Sequence, residues 1–262
     1  MEISLVIPLL AGWIGGWIVN YLADVLPVTR RFSRPACRHC NATLSWQDYL
    51  AFRACRACGK RRKLRAWIVQ ILGLASFLYF WGAPPKALGF PLGAILLVYF
   101  GVVTVIDLEH HLILHPTSAV GAALGLGVGT YIQGQLHKDV LTGLGYSLLG
   151  GVTGFGIAFL LYQFGRLFTH LRARRMQAAG QAPDDEEAFG GGDVFLAGVL
   201  GLLLGWPFIL RGLTLGILLA GVASILILAY QLVRRRYSGN ALMSFIAYGP
   251  YFILGAFILL YL

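Results

Sequence analysis

The sequence predicts an all-α polytopic membrane protein, with about eight transmembrane helices and a small cytoplasmic zinc-ribbon-like insertion. Three observations predict it. Of 262 residues, 58% are hydrophobic and 12% charged, with a mean hydropathy of +0.72, well outside the range of a soluble domain. The apolar residues gather into runs close to the roughly 20 residues that a bilayer crossing needs. All four cysteines fall in residues 28–65, the one polar insertion large enough to be a module. Residues 1–262 therefore read as a single integral membrane domain, with 28–65 inserted in it.

The apolar runs lie near 4–24, 66–83, 87–106, 117–134, 141–164, 193–210, 212–232 and 241–262. The first has neither a basic leader nor a small-residue cleavage site, so it is expected to be a retained helix and not a removed signal peptide. The fourth is rich in Gly and Ala, which suits close helix packing better than lipid contact.

Charge orients the bundle. Of 21 Lys and Arg, 11 lie in residues 30–65, four in 166–175 and three in 234–236. With eight spans these segments share one side, which the positive-inside rule makes cytoplasmic. The 107–116 turn and the 176–192 loop then face the same way. Segment 165–192, basic at first and ending in Asp184-Asp185-Glu186-Glu187, reads as a flexible solvated loop, and Arg234-Arg235-Arg236 as a topology anchor. The net charge of +10 is spread over juxtamembrane loops without aromatic interleaving, which favours anionic lipid headgroups and argues against nucleic acid.

Within 28–65 the cysteines form two knuckles, Cys37-Arg38-His39-Cys40 and Cys55-Arg56-Ala57-Cys58, separated by 14 residues. Each can offer two thiolates to one tetrahedral ion, with zinc the first expectation. A reducing cytoplasm disfavours disulfides. Few large apolar side chains accompany the cysteines, so the metal is expected to supply folding energy in a structural role.

Two acidic residues sit where a membrane protein hardly tolerates them. Asp107 closes one apolar stretch in Val105-Ile106-Asp107-Leu108-Glu109, and Asp193 opens another after Gly190-Gly191-Gly192. The charge count places both at one depth on one face, and intramembrane acids are functional suspects by default. A pair of carboxylates that share a proton can activate water and protonate a leaving group, as aspartic proteolysis requires. Gly190 and Gly192 would let an extended substrate approach Asp193 without side-chain obstruction. Each aspartate alone is equally consistent with a helix cap or an interfacial polar residue. His110, His111 and His115 lack the second cluster that a catalytic metal needs.

Gly190-x-Gly192-Asp193 with Val194 and Leu196, together with Ile106-Asp107-Leu108-Glu109-His110, resembles the bacterial prepilin peptidases, the type IV leader peptidases of the GxGD membrane aspartic protease group. Asn20, Leu26-Pro27, the paired knuckles and Tyr248-Gly249-Pro250-Tyr251 extend the resemblance over nearly the whole chain. It implies that Asp107 and Asp193 are the catalytic pair. It further implies that the substrate is the leader of a type IV prepilin or pseudopilin, cut after a glycine on the cytoplasmic side of the bacterial inner membrane. Some long members also methylate the new N-terminus from S-adenosylmethionine. The chain departs from the family pattern at Phe195, where Lys is usual, at Leu114-His115-Pro116, where Ile-Pro-Asp is usual, and at Gln70, where Glu is common. No glycine-rich nucleotide fingerprint supports methyl transfer independently.

Two rival readings remain at this level. A proton-coupled transporter would use Asp107 and Asp193 as relay sites, but would be expected to hold them near mid-membrane. A zinc-dependent scaffold would use them only as caps.

Overall fold

A computed structural model describes residues 3–62, 64–178, 190–233 and 247–262. Among these residues the chain is helical: α1 (Ile3–Thr29), α2 (Trp46–Leu50), α3 (Leu64–Gly82), α4 (Gly89–His110), α5 (His115–His137), α6 (Val140–Ala178), α7 (Gly191–Leu204), α8 (Phe208–Val233) and α9 (Gly249–Tyr261). The other eight helices fall on the eight apolar runs, and α2 is the short helix of the insertion. By length and composition α1, α3, α4, α6 and α8 can cross a membrane, whereas α7 and α9 are shorter apolar helices. At 23 residues α5 is long enough, but its many Gly, polar and His residues dilute its apolarity.

Two boundaries differ from expectation. Helix α6 does not stop near residue 164 but runs on to Ala178, because residues 166–178 contain neither Gly nor Pro and are rich in the helix formers Arg, Leu and Ala. The expected loop is therefore helical over its first half; Asp184 to Glu187 and Arg234 to Arg236 lie outside the described residues. Helix α7 ends at Leu204, well short of residue 210, because Gly205 takes a left-handed φ of 71° and Pro207 follows closely.

The chain divides into two compact units. The first comprises residues through Leu112 together with Tyr261, the second Ile113–Leu260 with Leu262. In the first, α1 and α3 meet through small residues and polar ties. A Cβ on Gly16 would stand 2.7 Å from Gln70 Oε1, and Gln70 Nε2 donates to Trp13 O at 2.7 Å. About one turn along, Asn20 Nδ2 donates to Ala66 O at 3.1 Å. Both amides are almost wholly buried, so each bond answers a donor that lipid or core could not.

In the second unit α5 and α6 embrace α7. A Cβ on Gly150 or Gly154 would collide with the backbone of Gly201 or Ala197, and one on Gly125 would meet Val199 O at 2.9 Å. Close approach replaces the hydrophobic drive that helices lack when lipid is as apolar as they are. The last carbonyls of α7, which have no partner within the helix, accept from neighbours: Gln133 Nε2 donates to Leu204 O at 2.6 Å and Ser147 Oγ to Leu202 O at 2.7 Å.

Candidate active site

Asp107 lies in the last turn of α4 and is 4% exposed, beside the fully buried Ile106. The helix ends just beyond it. His111 adopts a left-handed φ of 48° and donates its N–H to Asp107 O at 2.8 Å, a helix-stopping bond that fixes the backbone under the carboxylate.

Asp193 belongs to the second unit, at the third position of α7, and is 9% exposed. Gly190 is the extended cap residue (φ −77°, ψ 139°), and Asp193 donates its backbone N–H to Gly190 O at 3.1 Å. An acid in the first turn is favoured by the helix dipole. The three glycines are not equivalent. A Cβ on Gly192 would come within 2.9 Å of Ile113 Cβ and one on Gly190 within 3.3 Å of Asp193 Oδ2, whereas nothing stands within 4 Å of that position on Gly191. Phe195, where the family pattern has a cation, is half exposed and packs edge-on to Phe155 and near His115.

The four cysteines converge as the spacing predicts. Their Sγ atoms all lie within 4.8 Å of one another, with Cys37 to Cys58 at 3.6 Å and Cys40 to Cys55 at 3.7 Å. Four sulfurs on one ion at about 2.3 Å stand about 3.8 Å apart in a regular tetrahedron, and a disulfide needs about 2.05 Å, so the cluster fits a metal ion such as zinc. The two knuckles share one hydrogen-bond pattern: Cys37 N–H to Ala42 O (2.8 Å) and Asn41 N–H to Cys37 O (2.8 Å) are matched by Cys55 N–H to Lys60 O (3.0 Å) and Gly59 N–H to Cys55 O (2.7 Å). Asn41 and Gly59, each just after the second cysteine of its knuckle, both take left-handed backbones. Backbone N–H groups near His39 and Cys40 hold the Cys37 thiol down at about 6. At Cys40 the bond from Ala42 acts the same way but is outweighed by desolvation and the three neighbouring sulfurs, which push it up to about 12. Without a cation, four thiolates cannot coexist. Among the described residues no other such group, the three histidines included, could hold a metal.

The module has more core than its composition suggested, because it borrows one. Tyr49 and Phe52 are buried, and Phe52 packs on Trp67 of α3 (4.7 Å between centroids) and Trp13 of α1 (6.2 Å), while Tyr21 meets Trp46. Asp24 of α1 anchors the polar side: Tyr49 Oη and Arg62 Nη2 donate to its Oδ2 at 2.7 and 2.8 Å, and Arg65 pairs with its Oδ1. Burial, then the Asp24 charge, raise the Tyr49 phenol above its ordinary range, keeping it a donor. Within the insertion, bonds from Ser45 and Arg56 hold the Asp48 carboxyl below its usual range. Arg38, Arg53, Arg56, Arg62 and Arg65 are thus held by carboxylates of the protein itself, whereas Arg30, Arg31, Arg34, Lys60 and Arg61 are exposed and outside these pairs. Reasoning from sequence missed Asp24 and Glu109. An acid inside the first apolar run, and a second one beside Asp107, were the available signals.

A match to the model of the type IV leader peptidase family covers residues 94–232, just over half of the chain and both aspartates. A protein of Myxococcus xanthus (strain DK1622) described as "Prepilin leader peptidase/N-methyltransferase" is 26% identical over 226 residues, or 81% of this chain. The chain spans 60% of the length of that curated relative. No solved structure matches. On the extent of the family match, with the two buried aspartates inside it, this chain belongs to the type IV leader peptidase family.

Proposed function

We propose that the protein is a membrane aspartic endopeptidase that removes the leader of type IV prepilin or pseudopilin substrates, with Asp107 and Asp193 as its catalytic pair. The observation that carries this reading is that both aspartates are buried at helix ends and both fall inside the family match. One carboxylate, ionised, takes a proton from water as the water attacks the scissile carbonyl. The other, protonated, donates to the developing oxyanion; as the C–N bond breaks, the first passes the water's proton to the departing amine and the second takes its own back from the gem-diol hydroxyl. The substrate runs past Gly190 and Gly192, after a glycine of its own, on the cytoplasmic side of the bacterial inner membrane. Basic residues between Arg30 and Arg65 favour that face, and exposed ones such as Arg61 would meet anionic lipid.

Cys37, Cys40, Cys55 and Cys58 would hold zinc, whose role is to close the two knuckles on each other. The name of the Myxococcus xanthus relative pairs the peptidase with an N-methyltransferase. Methylation of the new N-terminus from S-adenosylmethionine is therefore the second activity to test. The proton-coupled transporter remains the alternative reading of the same aspartates.

The test is to incubate purified full-length protein with a model prepilin, with and without S-adenosylmethionine, and to weigh the product. A mature N-terminus supports the peptidase, and an added methyl group the transferase. No cleavage by zinc-loaded protein in anionic lipid would overturn the reading.

A further inference from the structure

The two knuckles place an arginine at the same position, directly after the first cysteine, and give it different work. Arg56 stays within the module at its surface and binds Asp48 of the insertion, with Nε to Oδ2 at 2.9 Å. Arg38 leaves the module. Its Nη2 lies 3.0 Å from Glu109 Oε2 at the end of α4, 3.3 Å from Asp24 Oδ1 and 3.3 Å from Ala23 O of α1. Arg65, at the head of α3, bridges the same two carboxylates, with Nη1 at 3.2 Å from Glu109 Oε2 and Nη2 on Asp24 Oδ1. Two arginines and two acids thus close a ring that joins the module to α1, α3 and α4. Its side chains are between 10% and 28% exposed, so water screens them only in part.

Glu109 follows Asp107 by two residues, on the last turn of a helix whose next residues must bend away at His111. A helix end is its least protected part. Here it is pinned by charge. Arg65 is carried by α3 itself. Arg38 is different, because its backbone is set by the loop between Cys37 and Cys40.

We propose that Arg38 is a positioning residue through which metal loading of the cysteine module fixes the end of α4 and so the setting of Asp107. This deepens the peptidase reading and rests on it for its effect on cleavage, though not for the coupling itself. A loaded cluster holds Arg38 on Glu109; an empty one releases it and leaves Arg65 alone to hold the helix end.

Full-length protein in lipid nanodiscs tests this by amide exchange over residues 105–112, which needs no substrate. Removing zinc with a chelator should speed exchange there about tenfold in the wild type. Arg38→Gln should show the same acceleration with zinc still bound, and chelation should then add less than about twofold, the non-additivity expected of two changes acting through one contact. If Arg38→Gln folds poorly, Glu109→Gln, which leaves the module untouched but gives up both arginines, should speed exchange at least as much and leave it insensitive to chelation. With a prepilin substrate, Arg38→Gln should lower kcat about tenfold at nearly constant KM, since it disturbs a reacting group and not substrate binding. Exchange at 105–112 that ignores chelation while residues 30–62 loosen would overturn the proposal, as would a chelator effect undiminished in Arg38→Gln. If the coupling holds and the wild type cleaves no prepilin, it is the peptidase reading that fails.

Discussion

Ile113 occupies the space that any side chain on Gly192 would need, with its Cβ 2.9 Å from the position of the missing one. The glycine before Asp193 is thus fixed by packing within its own unit. Gly192→Val should force the first turn of α7 off Ile113, at a cost of about 1–3 kcal/mol for overpacking. Cleavage should fall with it while zinc content stays unchanged. Gly191→Ala adds a methyl group where nothing lies within 4 Å, and should hold or raise the melting temperature. Equal behaviour of the two variants in thermal unfolding would count against this account.

Asp107→Asn and Asp193→Asn should each abolish cleavage of a prepilin, leaving the protein folded and inserted. The double variant should be no worse than either, because members of one proton-sharing unit are not additive. Residual turnover within about tenfold of wild type in either single variant would remove that residue from the mechanism.

Protein purified without chelator should carry one zinc per chain by elemental analysis, and Cys55→Ser should lose it. Its thiols should resist alkylation until chelator is added. Thiols that react freely in metal-replete protein would show that the knuckles are not ligands.

Arg62 and Arg61 are neighbours with opposite duties. Arg62 reaches Asp24 at 2.8 Å and stacks over the Tyr49 ring at 4.0 Å, whereas Arg61 is exposed. Arg62→Glu should therefore expose the insertion to protease, since it sets a like charge against Asp24, whose side chain is only 10% exposed. Arg61→Glu should leave protease resistance in neutral lipid as it was and reduce only the added protection given by anionic lipid. The comparison is made by limited proteolysis in nanodiscs of both compositions.

At the start of α6, the Thr142 hydroxyl and backbone N–H donate to Asp139 Oδ2 at 2.6 and 2.7 Å and hold its carboxyl below the usual range. A depressed carboxylate stabilises the fold above its unfolded pKa, and that contribution disappears as pH falls through the folded one. Asp139→Ala should thus melt earlier than wild type at neutral pH. The gap should close only on acidification below about pH 4, where the unfolded carboxylate titrates. A gap independent of pH would mean that the charge of Asp139 contributes nothing.

What the sequence made legible was whatever repeats or stands out locally. The apolar helices followed from the apolar runs, the cysteine cluster from two Cys-x-x-Cys knuckles, and Asp107 and Asp193 stood out by the rarity of acids in apolar surroundings, which their burial matches. What stayed hidden depended on contacts distant in the chain. Nothing local distinguishes Arg38, committed to Glu109, from Arg61, which is not. The glycines of α6 acquire a role only once α7 lies against them. Gly205 and Pro207 were visible breakers, overridden in the reading by the apolar residues on either side.

The aromatic wall that completes the cysteine module reaches it from both directions along the chain: Trp13 and Tyr21 come earlier, Trp67 later. A growing chain, extended at roughly 5–20 residues per second, therefore finishes both knuckles before it has made the last ring they rest on. An ion captured in that interval would serve as a temporary jig, keeping Tyr49 and Phe52 gathered until Trp67 of α3 seals them. Starvation for metal during synthesis would then harm newly made protein more than withdrawal of metal from protein already assembled.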